Sequence, residues 1–309
     1  MKRKLISIVI VLLVSAFSIE MLTGCASSSE VPLNPENLFR EQGAPTAEAA
    51  SDYDALVFKS EGTEIYGQVL MPDRSYGENR PCVLMFHGFA GFARFDDIGQ
   101  ALCRAGCVVV IPHHRGAWGS QGKYTISNCV RDAVELVKYA KSPEFQKKYH
   151  TGPHAVFLIG HSMGGNTVLN AAAEISGVRG IVMMAPCDIG TMHQSMPKDK
   201  MRSFLTENGL GVLHTDGFEA VYRDLAGHAA AYAFPNAAKK LKDVNLFLVI
   251  GERDSCISND LLKKFYAAAS GSRALPRCQV RKYPCGHGLM GVRMQVSRDI
   301  ADFILKSLE

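Results

Sequence analysis

The sequence predicts an α/β domain built on a mostly parallel sheet flanked by helices, with one helical insertion acting as a cap. Three observations carry this expectation. Five short runs, Cys82–Phe86, Val108–Ile111, Ala155–Ile159, Ile181–Met184 and Leu246–Ile250, are continuously apolar rather than alternating, as strands buried on both faces must be. Helical stretches separate them, and such alternation yields an open sheet with right-handed crossovers. One interval, 188–243, has helical patches and no strand candidate.

The chain opens with Lys2, Arg3 and Lys4 ahead of an apolar run from Leu5 to Phe17, then small residues. That run is too short to span a bilayer comfortably, and the layout is that of a secretory signal over 1–24. Residues 25–52 hold three consecutive serines and Pro32, Pro35 and Pro45 without sustained periodicity. They read as a flexible tether reaching about 30 Å. The domain then runs over 53–309. It starts with Leu56–Lys59 and Ile65–Leu70, expected as an antiparallel pair at one sheet edge. Helices are expected near 95–105, 127–141, 163–175, 258–269 and 291–308. Within 188–243, Met192, Met196, Met201, Phe204, Leu213, Phe218, Tyr222, Tyr232 and Phe234 suit a cap over a pocket at the carboxyl edge of the sheet. Each taken singly could equally pack the insertion onto the sheet.

Composition narrows the function classes. At 47% hydrophobic and 21% charged residues the chain is globular. Its net charge of +4 includes Lys2, Arg3 and Lys4 of the leader, so the remainder is close to neutral and nucleic acid is a poor partner. Of nine cysteines, those after Cys25 lack the paired spacing of a zinc site. His113 and His114 are adjacent, so in extended backbone they face opposite sides and form no two-ligand metal face. No metal or organic cofactor is expected. Cys256 and Cys285 each sit two residues from a candidate site residue. Two free buried thiols are the simpler expectation, a disulfide between them the alternative. Oligomeric state is not legible.

The stretch Gly160-His161-Ser162-Met163-Gly164 lies where a predicted strand meets a predicted helix. A serine at the tip of so tight a corner needs small residues two positions either side. The following helix N-terminus offers a positive dipole end and a free N–H at Met163. A hydroxyl is a poor nucleophile unless a base takes its proton and an acid orients that base. Two later strand ends provide candidates in the order acid, then histidine: Gly251-Glu252-Arg253-Asp254 and Gly286-His287-Gly288. Asp254 could instead cap the following helix, with Asp188 as the substitute acid. His87 is better placed to buttress a loop than to act chemically.

At these residues the chain resembles the α/β-hydrolase superfamily over about 53–309. It looks most like serine esterases and prolyl-oligopeptidase-related (S9-like) hydrolases, through HGFAGFARF at 87–95, HHRGAWGSQG at 113–122, GHSMGG at 160–165, GERD at 251–254 and GHG at 286–288. The departure from that pattern is His113, where relatives often carry Asp ahead of the Arg-Gly pair. The resemblance implies Ser162 as nucleophile, His287 as general base and Asp254 as its orienting acid. Phe89 and Met163 would supply the two backbone N–H groups of an oxyanion hole. Leu22-Thr23-Gly24-Cys25 similarly resembles a bacterial lipobox, implying lipidation of Cys25 and a lipid anchor to the cell membrane of an exported protein. The expected partner is then a small ester of a moderately apolar acyl or aryl group. A peptidase or a thioesterase uses the same machinery, an acyltransferase passes the acyl group to an alcohol, and a non-catalytic surface binding protein could retain the fold.

Overall fold

The structure is a computed structural model that describes residues 33–40, 50–272 and 275–309. The expected signal segment 1–24, the lipobox with Cys25 and most of the tether lie outside the described residues.

Among the described residues eight strands form one sheet in the order β1-β2-β4-β3-β5-β6-β7-β8. β1 (Asp52–Ser60) and β2 (Thr63–Met71) are antiparallel, joined by the two-residue turn Glu61-Gly62. β2 runs antiparallel to β4 (Val108–Pro112). From there β3 (Arg80–Phe86), β5 (Thr151–His161), β6 (Gly180–Met184), β7 (Asn245–Gly251) and β8 (Cys278–Tyr283) are all parallel. Burial explains the sequence patterns: β3, β4, β6 and β7 are buried at every position, whereas β1 alternates and β8 is half-exposed at the edge.

One face is covered by α1 (Asp96–Arg104) packed on α10 (Arg293–Leu308). The other carries α2 (Ile126–Ala140), α4 (Met163–Glu174) and α9 (Asn259–Ser270). A short helix that the sequence reading did not anticipate, α3 (Pro143–Tyr149), follows α2; Ser142 caps it and Pro143 occupies its first turn. The 188–243 interval is helical as expected: α5 (Ile189–Ser195), α6 (Lys198–Glu207), α7 (Phe218–Tyr232) and α8 (Phe234–Ala238) stand between β6 and β7. Asp224 of α7 accepts the Ser127 N–H at 3.0 Å and its hydroxyl, and Asn166 of α4 donates to the Tyr232 carbonyl at 3.0 Å. The insertion is thus pinned to α2 and α4 by polar bonds as well as by its apolar residues.

Residues 33–40 differ from the tether expected there. Leu33 and Leu38 are buried. Asn34 N–H donates to the Ala105 carbonyl and Arg104 Nε to the Leu38 carbonyl, each at 2.8 Å. Proline-rich composition suggested an unstructured segment, but two leucines five residues apart find an apolar slot beside α1 and α10, and that burial fixes the turn.

Candidate active site

Ser162 stands alone between β5 and α4, with φ 53° and ψ −117°. That is a sparsely populated conformation for a residue with a Cβ, costing about 1–3 kcal/mol, and surrounding bonds must hold it. They do: its N–H donates to the Met184 carbonyl at 2.9 Å, and its carbonyl accepts from Gly165 and Cys187, each at 2.9 Å. The flanking glycines are sterically required. A Cβ at Gly160 would lie 2.1 Å from the Gly164 carbonyl oxygen, and one at Gly164 would lie 2.1 Å from that of Phe86.

His287, in the loop after β8, approaches Asp254, in the loop after β7, with Nδ1 2.8 Å from Oδ2. A carboxylate only accepts, so the proton sits on Nδ1 and Nε2 is left with a lone pair. The other oxygen, Oδ1, accepts the backbone N–H groups of Cys256 at 2.8 Å and Ile257 at 3.0 Å. Burial alone would raise the Asp254 carboxyl. The hydrogen bond from His287, the electrostatic attraction of that ring and the two backbone donors outweigh that and hold it below the usual carboxylate range.

Ser162, Met163, Phe89 and His287 all line one cavity of about 160 Å3, together with Phe92, Phe204 and Ile257. Met163 is the first residue of α4, where a backbone N–H has no acceptor within the helix. Phe89 follows the His87-Gly88 turn. The four expected residues and Asp254 behind His287 are therefore brought together. Asp188 is elsewhere occupied: it caps α5 through Thr191, with 3.0 Å to the N–H and 2.8 Å to the hydroxyl, and accepts from Phe234 N–H at 3.2 Å. Burial raises its carboxyl, and it is no substitute for Asp254. Cys256 and Cys285 are free thiols, the first exposed and the second buried, so the disulfide alternative is not formed.

Several residues of the site were not singled out in the sequence. His161 is buried beneath His287, ring centroids 4.6 Å apart, and its Nε2–H donates to the His287 carbonyl at 2.9 Å. Its Nδ1 has no partner, and burial followed by the neighbouring His287 drives the imidazole down to about 3. Its place inside the serine motif was the available signal. Arg293 of α10 donates to the Gly288 carbonyl at 3.2 and 3.0 Å and to Asp97 of α1 at 3.2 Å, tethering the histidine loop. Asn208 of the cap, which carried no sequence signal, also lines the cavity.

The loop 113–122 also finds a place. His114 Nε2–H donates to the His87 carbonyl at 3.0 Å, and its backbone N–H reaches His87 Nε2 at 3.3 Å. His87 thus buttresses its loop, as expected. His113, pointing the other way, takes a bond from Arg94 at 2.8 Å and gives one to the Trp118 carbonyl at 3.0 Å. Arg115 forms a buried pair with Asp132 of α2 and bonds Ser60 and Thr63 of the edge hairpin. Burial lowers His114 to about 4 and His87 well below the ordinary histidine value.

An eight-stranded, mostly parallel sheet with a strained serine after β5, an acid after β7 and a histidine after β8 is the α/β-hydrolase fold, and this chain has it. Residues 77–207, somewhat under half of the chain, match the family described as Serine aminopeptidase, S33. Among solved structures the chain resembles Est1E from Butyrivibrio proteoclasticus, at 17% identity and a TM-score of 0.63 over 82% of this chain and 98% of that one. It also resembles a Pyrococcus furiosus esterase, at 17% and 0.61 over 89% and 97%. A third is brefeldin A esterase, a bacterial homologue of human hormone sensitive lipase, at 18% and 0.62 over 88% and 81%. At such identities the likeness is one of fold. None of the curated proteins matches the chain.

Proposed function

We propose that the protein is a serine hydrolase that cleaves carboxylic esters of moderately apolar acyl or aryl groups through an acyl-enzyme. The observation that carries this reading is the Asp254–His287 bond of 2.8 Å beside a cavity that also holds the strained Ser162. Ser162 Oγ attacks the ester carbonyl as His287 Nε2 takes its proton. Asp254 holds the imidazole tautomer and offsets the charge that forms on it. The backbone N–H groups of Phe89 and Met163 receive the oxyanion. The alcohol leaves with the proton from Nε2, and water repeats the sequence in reverse to free the acid.

The cavity supports an ester with a small acyl or aryl group. About 160 Å3 is close to the volume at which an apolar protein cavity takes up one benzene-sized ring, roughly 150 Å3. Its apolar walls include Phe89, Phe92, Met163, Phe204 and Ile257. One of the similar structures is Est1E with ferulic acid bound, an aryl acid of that kind. The matching family name favours a second reading, an aminopeptidase. Such an enzyme needs a carboxylate to hold the substrate α-ammonium. Among the described residues no Asp or Glu side chain lines the cavity, which supports the ester. Rates on p-nitrophenyl esters of graded acyl length, beside aminoacyl-naphthylamides, separate the two; cleavage of amides alone would sink the ester reading. A fluorophosphonate probe that left Ser162 unlabelled in folded protein would point instead to a non-catalytic binding protein.

We further propose that the protein is an exported lipoprotein anchored through Cys25, on the strength of Leu22-Thr23-Gly24-Cys25 after a charged, then apolar leader. Metabolic labelling with a fatty acid that persists in Cys25→Ala would remove that reading.

A further inference from the structure

At the edge of the cavity, a thiol stands beside Asp254 and His287, and ester cleavage has no need of it. Asp254, Cys256 and His287 each offer one ligand atom, and the three atoms lie within 4.8 Å of one another. Cys256 is exposed on the loop between β7 and α9 and lines the same cavity as Ser162 and His287. Carboxylate, imidazole and thiolate together suit a cation of the zinc class.

The distances are close to what such an ion asks. Ligand atoms bound tetrahedrally at 2.0–2.3 Å stand roughly 3.3–3.7 Å apart. The Asp254–His287 separation of 2.8 Å, spanned now by a proton, would open by under about 1 Å, and the thiol would close by about the same amount. Rotation of the exposed Cys256 side chain supplies the thiol's share of that movement. Charges also balance, since carboxylate, thiolate and neutral imidazole offset a divalent ion.

We propose that Asp254, Cys256 and His287 form an inhibitory site for a thiophilic divalent cation of the zinc or cadmium class, bound in place of the proton between Asp254 and His287. Bonds form from the ion to Oδ2, Sγ and Nδ1. The thiol proton goes to solvent, and the imidazole stays neutral by losing the Nδ1 proton and gaining one at Nε2. One proton is released in all, and no electron is transferred. Nε2 then carries hydrogen and cannot accept from Ser162. Hard cations such as magnesium, which ask for six oxygens, find one carboxylate here and do not compete. The inhibitory consequence rests on the serine-hydrolase reading; binding of the ion does not.

Titration of the chelator-treated full chain with cadmium chloride tests binding directly, through the ultraviolet thiolate-to-cadmium band and equilibrium dialysis. Wild type and Cys285→Ala are expected to bind one ion with the band, whereas Cys256→Ala loses the band and binds roughly tenfold more weakly or worse. In parallel, cadmium or zinc should suppress fluorophosphonate labelling of Ser162 in wild type and not in Cys256→Ala, with magnesium inert in both. Equal cadmium affinity in wild type and Cys256→Ala, or a wild-type protein without the band, overturns the site. Should Ser162 never be labelled even without metal, the hydrolase reading and the inhibition fall together, while the band and its loss in Cys256→Ala still decide the metal site.

Discussion

Acid should weaken this fold well before its carboxylates are protonated, because two buried histidines cannot take up protons while folded. Burial holds His114 at about 4 and His161 at about 3, against about 6.5 in an unfolded chain. The unfolded state therefore binds more protons between those limits, so stability is full above about pH 6.5 and falls as pH drops toward the folded values. At pH 5 an unfolded imidazole is about 97% protonated, while the folded ones remain almost entirely neutral. Linkage then makes each histidine cost about 2 kcal/mol on going from pH 7 to pH 5, or about 4 kcal/mol together. That is a large part of a typical folding free energy of roughly 5–15 kcal/mol. The titratable and charged groups around His161 are His287, Asp254 and Arg293, and those around His114 are His87, His113 and Asp132. His87, also lowered, adds to the effect, whereas the raised Asp188 carboxyl opposes it. Urea unfolding at the two pH values measures the sum, with an expected drop in midpoint of roughly 1 M or more. His161→Gln keeps an N–H for the His287 carbonyl but cannot titrate, so its loss between pH 7 and 5 should be about 2 kcal/mol smaller than that of wild type. A variant that loses as much as wild type refutes the reasoning.

Ser162→Ala should abolish fluorophosphonate labelling, and Asp254→Asn, which leaves the imidazole in the wrong tautomer, should lower kcat on p-nitrophenyl esters by about 10^3–10^4-fold. Arg115→Ala strands Asp132 as a buried unpaired charge; a loss of about 3–5 kcal/mol is expected, seen as a melting temperature lower by roughly 10 °C. Phe204→Ala removes a ring from the cap side of the cavity, and kcat/KM across an acyl series should move its maximum toward longer chains. An unchanged profile would remove the cap from substrate selection.

How much of this was legible in the sequence depended on whether a residue's role is enforced locally. The corner at Ser162 was readable because its two glycines are dictated by backbone contacts within five residues and with one neighbouring strand. Strands β3, β4, β6 and β7 were readable because burial on both faces writes itself as unbroken apolarity. Asp254 and His287 followed from chain order and their places at strand ends. His161 was visible as a letter and not as a function, since nothing local tells that its Nε2 reaches a carbonyl 126 residues away. The same holds for residues 33–40, whose composition spoke for a tether until the slot beside α1 was formed by residues far along the chain.

The loop 113–122 shows why a departure from a family pattern need not unsettle the site it serves. Its two histidines act in opposite directions: His114 bonds the turn carrying Phe89, and His113 takes Arg94 from the same turn's far end. From the other side the loop is fixed to the hairpin and to α2 by Arg115, and to the cap by paired backbone bonds of 2.8 Å linking Tyr124 and Gly116 with His214. The turn carrying Phe89 therefore rests on a loop held by the sheet edge, a helix and the cap at once. Asp at position 113 could also accept from Arg94, but it could not donate to the Trp118 carbonyl as the His113 Nδ1–H does. Arg94 already pairs with Asp96 at 2.7 Å, so an aspartate at 113 would add only a second ion pair, whereas His113 adds a neutral bridge, and the burial that keeps it below the ordinary histidine value keeps that bridge intact at neutral pH.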